Sequence, residues 1–218
     1  MGLYSLRRFP IYIVKTLHCP IFSAMSKTLA SRLLALSGWR IAPDYPAETE
    51  RCVMIAAPHT SNWDIWYARL GFFVMGIPVR FTIKKEWMRF PFNLALGPLG
   101  GLGIDRSPRK ADGSRPSYTE QMIELFEKHE RLAVMVTPEG TRSKRSTWKT
   151  GFYYVALGAK VPICLGYLDY ANKIAGVGPA IHPTGDIQAD MHRILEFYSH
   201  IQGKHPEKFA LDERYWPS

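Results

Sequence analysis

Apolar residues recur at helical spacing near the start of the chain. Phe22, Met25, Leu29, Leu33 and Leu36 fall every three or four positions, while Lys27, Ser31 and Arg32 occupy other faces. Before them, residues 9–17 form an apolar run too short to cross a bilayer, interrupted by Lys15 and followed by Pro20. No uninterrupted apolar stretch reaches the roughly 18 residues of a spanning helix, so none is expected. Basic residues continue through the segment, which argues against a cleaved leader. Past Gly38 and Pro43 the pattern changes to short apolar runs alternating with helical periods. Residues 53–59 read as a strand. A helix is expected to begin near Trp63, capped by Ser61 or Asn62, and to run through Ile65, Trp66 and Leu70. Residues 79–86 read as a strand, 87–96 as a short aromatic helix or lid, and 97–107 as a glycine-rich turn passing into a short strand. A polar loop over 109–116 precedes an amphipathic helix over 119–130, where Met122, Leu125 and Phe126 can pack. Strands are expected at 132–137 and 161–169, with an apolar helix at 150–159 between them and a last helix near 190–202. This alternation predicts an α/β fold: a mostly parallel or mixed sheet flanked by helices, preceded by a basic amphipathic helical segment.

Composition narrows the partners. The 218 residues are enough for one domain with a substantial core, and the formal net charge is +9. A basic chain suits nucleic acid, an anionic membrane or a phosphorylated substrate. The distribution selects among these. Arg7, Arg8, Lys15, Lys27, Arg32 and Arg40 precede the first acidic residue, Asp44, and they are interleaved with Leu, Ile, Phe and Trp. Basic and apolar residues together point to an anionic membrane surface. No nucleic-acid-binding signature is present, and no nucleic-acid partner is expected. Residues 1–40 are therefore read as a membrane-interacting helical segment and 41–218 as the domain that carries the chemistry. Cys19, Cys52 and Cys164 have no metal-binding spacing. Cys52 and Cys164 fall in expected strands, where a cysteine behaves as a small buried hydrophobe.

The candidate chemistry lies where apolar strands end. PHTSNWD at 58–64 places His59 in a turn and Asp64 in the first turn of a helix. If the helix start brings Asp64 back to the imidazole, the carboxylate fixes one ring nitrogen and leaves the other to act as general base. Ser61 does not sit in a nucleophile elbow, so the substrate itself would supply the attacking hydroxyl. The plainer reading of this segment is a pair of capping residues. PEGTR at 138–142 follows a second strand. Gly140 allows a tight turn, Arg142 can grip a phosphate in a fork, Thr141 can add a donor, and Glu139 can orient the loop. Alone it also fits an ordinary turn with a surface ion pair. GLGIDR at 101–106 adds Arg106 beside glycines, without the spacing of a phosphate-binding loop or a dinucleotide fingerprint.

In order and separation these segments resemble the glycerolipid acyltransferases, the family that includes bacterial 1-acyl-glycerol-3-phosphate acyltransferases. His59-Thr60-Ser61-Asn62-Trp63-Asp64 matches the H-x4-D block, and Gly103-Ile104-Asp105-Arg106 resembles the second. Pro138-Glu139-Gly140-Thr141-Arg142 matches the third block, and Val161-Pro162-Ile163 resembles the fourth. Lys84-Lys85-Glu86, between the first two blocks, also fits the family. The resemblance covers roughly residues 50–185.

It implies an O-acyltransferase. His59 would deprotonate the hydroxyl of a lysophospholipid such as 1-acyl-glycerol-3-phosphate, and Asp64 would orient it. The donor would be a fatty acyl thioester on CoA or acyl carrier protein, with no metal and no further cofactor. Arg106 and Arg142 with Glu139, Gly140 and Thr141 would form the acceptor or phosphate site, supplemented by Lys85. Backbone amides near the glycines or the His59 turn would stabilise the oxyanion. Trp66, Phe72, Phe73, Trp87 and Phe92 are candidates for an acyl groove. The family also implies a peripheral or monotopic place on the cytoplasmic face of the inner membrane. Pro58 stands where many members have asparagine, and SNWDIW is unusually aromatic. This leaves other acceptors open, such as a lyso-ornithine lipid. A metal-dependent phosphoester hydrolase would need more ligands than the sequence places. A lipid-binding protein with an inactive site sits poorly with the intact His59 and Asp64.

Overall fold

The computed structural model describes residues 26–90, 92–96, 100–105 and 116–216. The apolar residues from 9 to 25, Arg106 and the polar loop at 109–115 lie outside the described residues. Helix α1 (Lys27–Leu36) starts at Ser26, whose side chain accepts from the Leu29 amide. Strand β1 (Arg40–Ile41) follows, then β2 (Arg51–Ala56), α2 (Trp63–Met75) and β3 (Val79–Lys84). A short helix α3 (Asn93–Leu96) leads to β4 (Gly101–Ile104). The chain continues through α4 (Tyr118–Lys128), β5 (Leu132–Val136), α5 (Gly151–Ala159), β6 (Ile163–Asp169), β7 (Ile174–Ile181) and α6 (Ile187–Ser199).

The strands form one seven-stranded sheet in the order β1-β7-β6-β2-β5-β3-β4. Strands β6, β2, β5, β3 and β4 run parallel, and β7 is antiparallel to β6. The mixed α/β sheet expected from the alternation is present. Strand β2 lies at its centre and is buried on both faces, which is why it reads as a continuous apolar run. Val53, Ile55 and Ala57 point into the core beneath α4, α5 and α6. Cys52 and Met54 point the other way, against Phe72 and Met75 of α2. Cys52 and Cys164 are buried free thiols, as their strand positions suggested. Helix α4 carries a reciprocal capping box between Ser117 and Glu120, and it buries Met122, Leu125 and Phe126.

Several elements differ from the sequence expectation: no pattern marked β1, β3 ends at Lys84, and in place of one helix over 87–96 there is a 3-10 turn at Lys85–Met88 and then α3. Strand β7 has no clear alternation, because Gly176, Gly178 and Pro179 interrupt IAGVGPAI. Those glycines serve packing: a Cβ at Gly178 would stand 2.3 Å from the Phe197 ring, and one at Gly176 would stand 2.6 Å from Ala42. The last helix begins at Ile187 instead of near residue 190, because the Asp186 side chain accepts from the Gln188 and Ala189 amides.

Helix α1 packs through its small side. Ala30 and Leu34 are buried against Trp39, Leu70, Leu168 and Ala175. Leu29, Leu33 and Leu36, which continue the predicted apolar stripe, face outward, with Leu36 85% exposed. Among the described residues, no helix is long and apolar enough to cross a membrane.

Candidate active site

Parallel strands end together, so the turns after β2, β5 and β6 meet at one edge of the sheet. His59 stands in the turn after β2. Its Nδ1 lies 3.1 Å from Asp64 Oδ2. The same carboxylate oxygen accepts from the Thr60 amide at 3.0 Å and the Ser61 amide at 2.9 Å. The turn therefore wraps around Asp64. It is the first turn of α2 that returns this carboxylate to the ring five residues earlier. Ser61 Oγ accepts from the Trp63 amide, while Asn62, at the cap position, makes no side-chain cap bond. Asp64 is only 5% exposed. Burial pushes its carboxyl up, but donors from His59, Tyr170 and Ser61 more than offset this and hold it below the usual range. With Nδ1 occupied by an anion, Nε2 is the nitrogen able to take a proton.

Glu139 comes from the turn after β5, closed by the Gly140 amide donating to the Thr137 carbonyl. Its Oε1 accepts from the His59 amide at 2.8 Å, so it joins the two turns. It is 3% exposed, and Oε2 is buried without a hydrogen-bond partner among the described residues. Burial pushes the carboxyl up to about 7, with the His59 amide opposing. A carboxyl raised in the folded state stabilises the protein fully below its ordinary value of 4.5 and loses that contribution as pH rises towards 7. Glu139→Gln keeps the acceptor for His59 and removes this titration. Chemical denaturation from pH 4.5 to 8 is expected to show a declining stability in the wild type and a flatter profile in the variant. Parallel profiles would reject that assignment.

A cavity of about 630 Å³ opens at His59 and Asp64 and runs between α2 and the sheet. Ile65, Ala68, Phe72, Met75, Phe81 and Met135 give it an apolar wall. Its size is that of a small-molecule site. Of the residues suggested for an apolar groove, Phe72 lines it. Phe73 instead packs on the Trp39 cluster, and Trp66 and Phe92 are about half exposed. The side chain of Trp87 lies outside the described residues.

The cavity brings together His59, Asp64 and Gly140 but does not take in Lys85, Thr141 or Arg142. Lys85 opens the turn after β3 and is exposed. Arg142 is exposed, and Thr141 Oγ1 accepts from the Ser143 amide. Gly140 adopts φ +66°, and Lys149 crosses its bare face: a Cβ there would stand 2.9 Å from Lys149 Nζ. Lys149 and Arg69 line the cavity. Neither lies in a motif, so nothing in the sequence pattern singled them out. Tyr170, beyond β6, reads in the sequence as a packing residue with reach towards the site. Its hydroxyl donates to Asp64 Oδ1 at 2.7 Å. Among the described residues, no group of three or more His, Cys, Asp or Glu is arranged to hold a metal ion.

A family model described as Acyltransferase matches residues 42–164, which include both His59–Asp64 and Glu139–Arg142. No curated protein matches the chain. Among solved structures, the 1-acyl-sn-glycerophosphate (LPA) acyltransferase PlsC from Thermotoga maritima is similar at 16% identity, over 73% of this chain and 68% of that one, with a TM-score of 0.47.

Proposed function

Because this chain belongs to the acyltransferase family, we propose that it transfers a fatty acyl group from a thioester of CoA or acyl carrier protein to the hydroxyl of a lysophospholipid such as 1-acyl-glycerol-3-phosphate. The observation that carries this reading is the His59–Asp64 pair at the mouth of an apolar cavity. Asp64 holds the Nδ1–H of His59. Nε2 takes the proton of the acceptor hydroxyl as its oxygen attacks the thioester carbonyl. The tetrahedral intermediate collapses with loss of the thiolate, which the imidazolium reprotonates. The products are an ester and a free thiol, and no covalent enzyme intermediate is needed. A thiolate is a good leaving group, so one histidine suffices for both proton transfers.

The oxyanion needs a donor. The amides of His59, Thr60, Ser61 and Gly140 are already bonded within the protein, so the donor is assigned to a cation. Lys149, which lines the cavity beside Gly140, is the candidate. The acceptor phosphate is assigned to Lys85, Arg106 and Arg142, together with Lys149, which lines the cavity; Glu139, Gly140 and Thr141 shape the turn that carries Arg142. Residues 1–40 are assigned to the cytoplasmic face of the inner membrane and 41–218 to the acyltransferase domain. The outward stripe of Leu29, Leu33 and Leu36, with Lys27 and Arg32 on the same helix, fits an anionic leaflet.

Thiol release from a long-chain acyl thioester, with lysolipids supplied in vesicles, tests this directly. The panel should contain phosphate-bearing acceptors and a lyso-ornithine lipid. Release that depends on one acceptor names the substrate. Vesicle binding without release from any member would favour a lipid-binding protein and reject the reading.

A further inference from the structure

We infer that Tyr170 is a positioning residue for the His59–Asp64 pair, acting through Asp64 Oδ1. The inference rests on the acyl-transfer reading for its kinetic consequence and on geometry alone for the coupling. The two carboxylate oxygens of Asp64 are used differently. Oδ2 accepts from His59 Nδ1 and from the Thr60 and Ser61 amides. Oδ1 accepts from Tyr170, at 2.7 Å, the shortest bond to this carboxylate. A carboxylate held by one edge can still tilt about its Cβ–Cγ bond. The phenol on the other edge removes that freedom and keeps Oδ2 aligned with the imidazole.

Tyr170 is itself fixed from three directions. It sits in the tight turn between β6 and β7, where Asp169 accepts from the Ala171 amide and the Asn172 side chain. Its amide donates to the Gln202 carbonyl. Its ring stands edge-on to Trp39, at 4.8 Å and 89°, and to Tyr67 at 6.2 Å. Trp39 in turn stacks on Tyr67 at 4.7 Å and is buried. Burial and the adjacent Asp64 push the phenol pKa far up, so the hydroxyl stays a donor over the whole working pH range. Trp39 follows α1, the helix with the outward leucine stripe, so the box that holds Tyr170 joins that helix to the dyad.

The sign of the effect is determined by the carboxylate. Without the phenol donor, the Asp64 anion is less stabilised and attracts the His59 proton more strongly. The Nδ1–H resonance of His59 moves downfield with it. Other groups face the same ring and loop. Glu139 approaches from the β5 turn, Arg69 from α2 and Lys149 from the start of α5. His205 bonds Thr60 through its amide, and its ring pairs with Glu207 at 3.6 Å. Glu139 is the one pushed to about 7, so the comparison is best made in a Glu139→Gln background.

In Tyr170→Phe, the His59 Nδ1–H resonance followed by NMR is expected to move downfield as its bond to Asp64 Oδ2 strengthens. At the same time kcat should fall roughly tenfold, and KM for both substrates should stay within about twofold. A ring-fluorinated tyrosine at 170, a stronger donor of nearly the same shape, should move the resonance upfield, which keeps the test valid if Tyr170→Phe folds poorly. An unchanged resonance in both variants would overturn the inference, whether or not stability falls, because a packing role alone does not move it in opposite directions. Absence of acyl transfer in the wild type would count against the proposed function, and the NMR resonance would still decide the coupling.

Discussion

Replacing His59 by alanine is expected to lower acceptor-dependent thiol release by on the order of 10³-fold while the protein stays folded. General-base assistance contributes roughly 10²- to 10⁴-fold, and among the described residues no second imidazole lines the cavity to replace it. The fold should survive for a specific reason. The bond that joins the two turns uses the His59 amide, not its ring, and alanine retains it. Asp64 also keeps three of its four donors: the Thr60 amide, the Ser61 amide and the Tyr170 hydroxyl. Thermal unfolding alongside the thiol assay checks both halves. Turnover within tenfold of wild type, in a variant that melts normally, would remove His59 from the reaction.

Asp64→Asn is expected to cost on the order of 10²-fold in kcat. A carboxamide offers one oxygen and one NH2 group. Two amides and the imidazole converge on Oδ2, so the oxygen must take that side. The NH2 then meets the Tyr170 hydroxyl, which can turn round and accept. Geometry is thus nearly preserved, and the loss isolates the charge that stabilises the imidazolium once His59 has taken the proton. The same substitution has an acid-stability signature. The carboxyl lies below its ordinary value of 3.8 when folded, so its contribution is present above that value and is lost as pH falls through the folded value. Denaturation curves taken between pH 2 and 6 should show a shallower acid decline in Asp64→Asn than in wild type. An equal decline would mean that the carboxylate does not stabilise the fold in this way. A drop in kcat below threefold would mean that the ring does not depend on its charge.

The two variants also separate the partners of the dyad. His59→Ala removes the base and leaves the carboxylate cradle, whereas Asp64→Asn leaves the base and removes the counter-charge. If both caused the same loss together with the same fall in stability, the segment would be a structural cap, the plainer reading of PHTSNWD.

Sequence by itself determined the elements whose pattern is local. Continuous apolar runs mark β2, β5 and β6, because strands covered on both faces need apolar side chains at every position. The three- and four-residue spacing of Met122, Leu125 and Phe126 marks α4, whereas its capping box appeared only in the structure. His59, Asp64 and Glu139 were legible because each stands where such a run ends, and a family model matches the segment that holds them. Only the tertiary structure decided what these residues do to one another. Glu139 reaches across from another strand to the His59 amide, a contact 80 residues away that no local spacing encodes. Tyr170 meets Asp64 over 106 residues because β6 lies beside β2 in the sheet. Strand β7 was hidden because its glycines answer to the bulk of Phe197 and Ala42, not to a strand propensity. The leucines of α1 were visible as a stripe, but a stripe has no direction until something packs on the helix. Ala30 and Leu34 meet the core, so Leu29, Leu33 and Leu36 are left facing out.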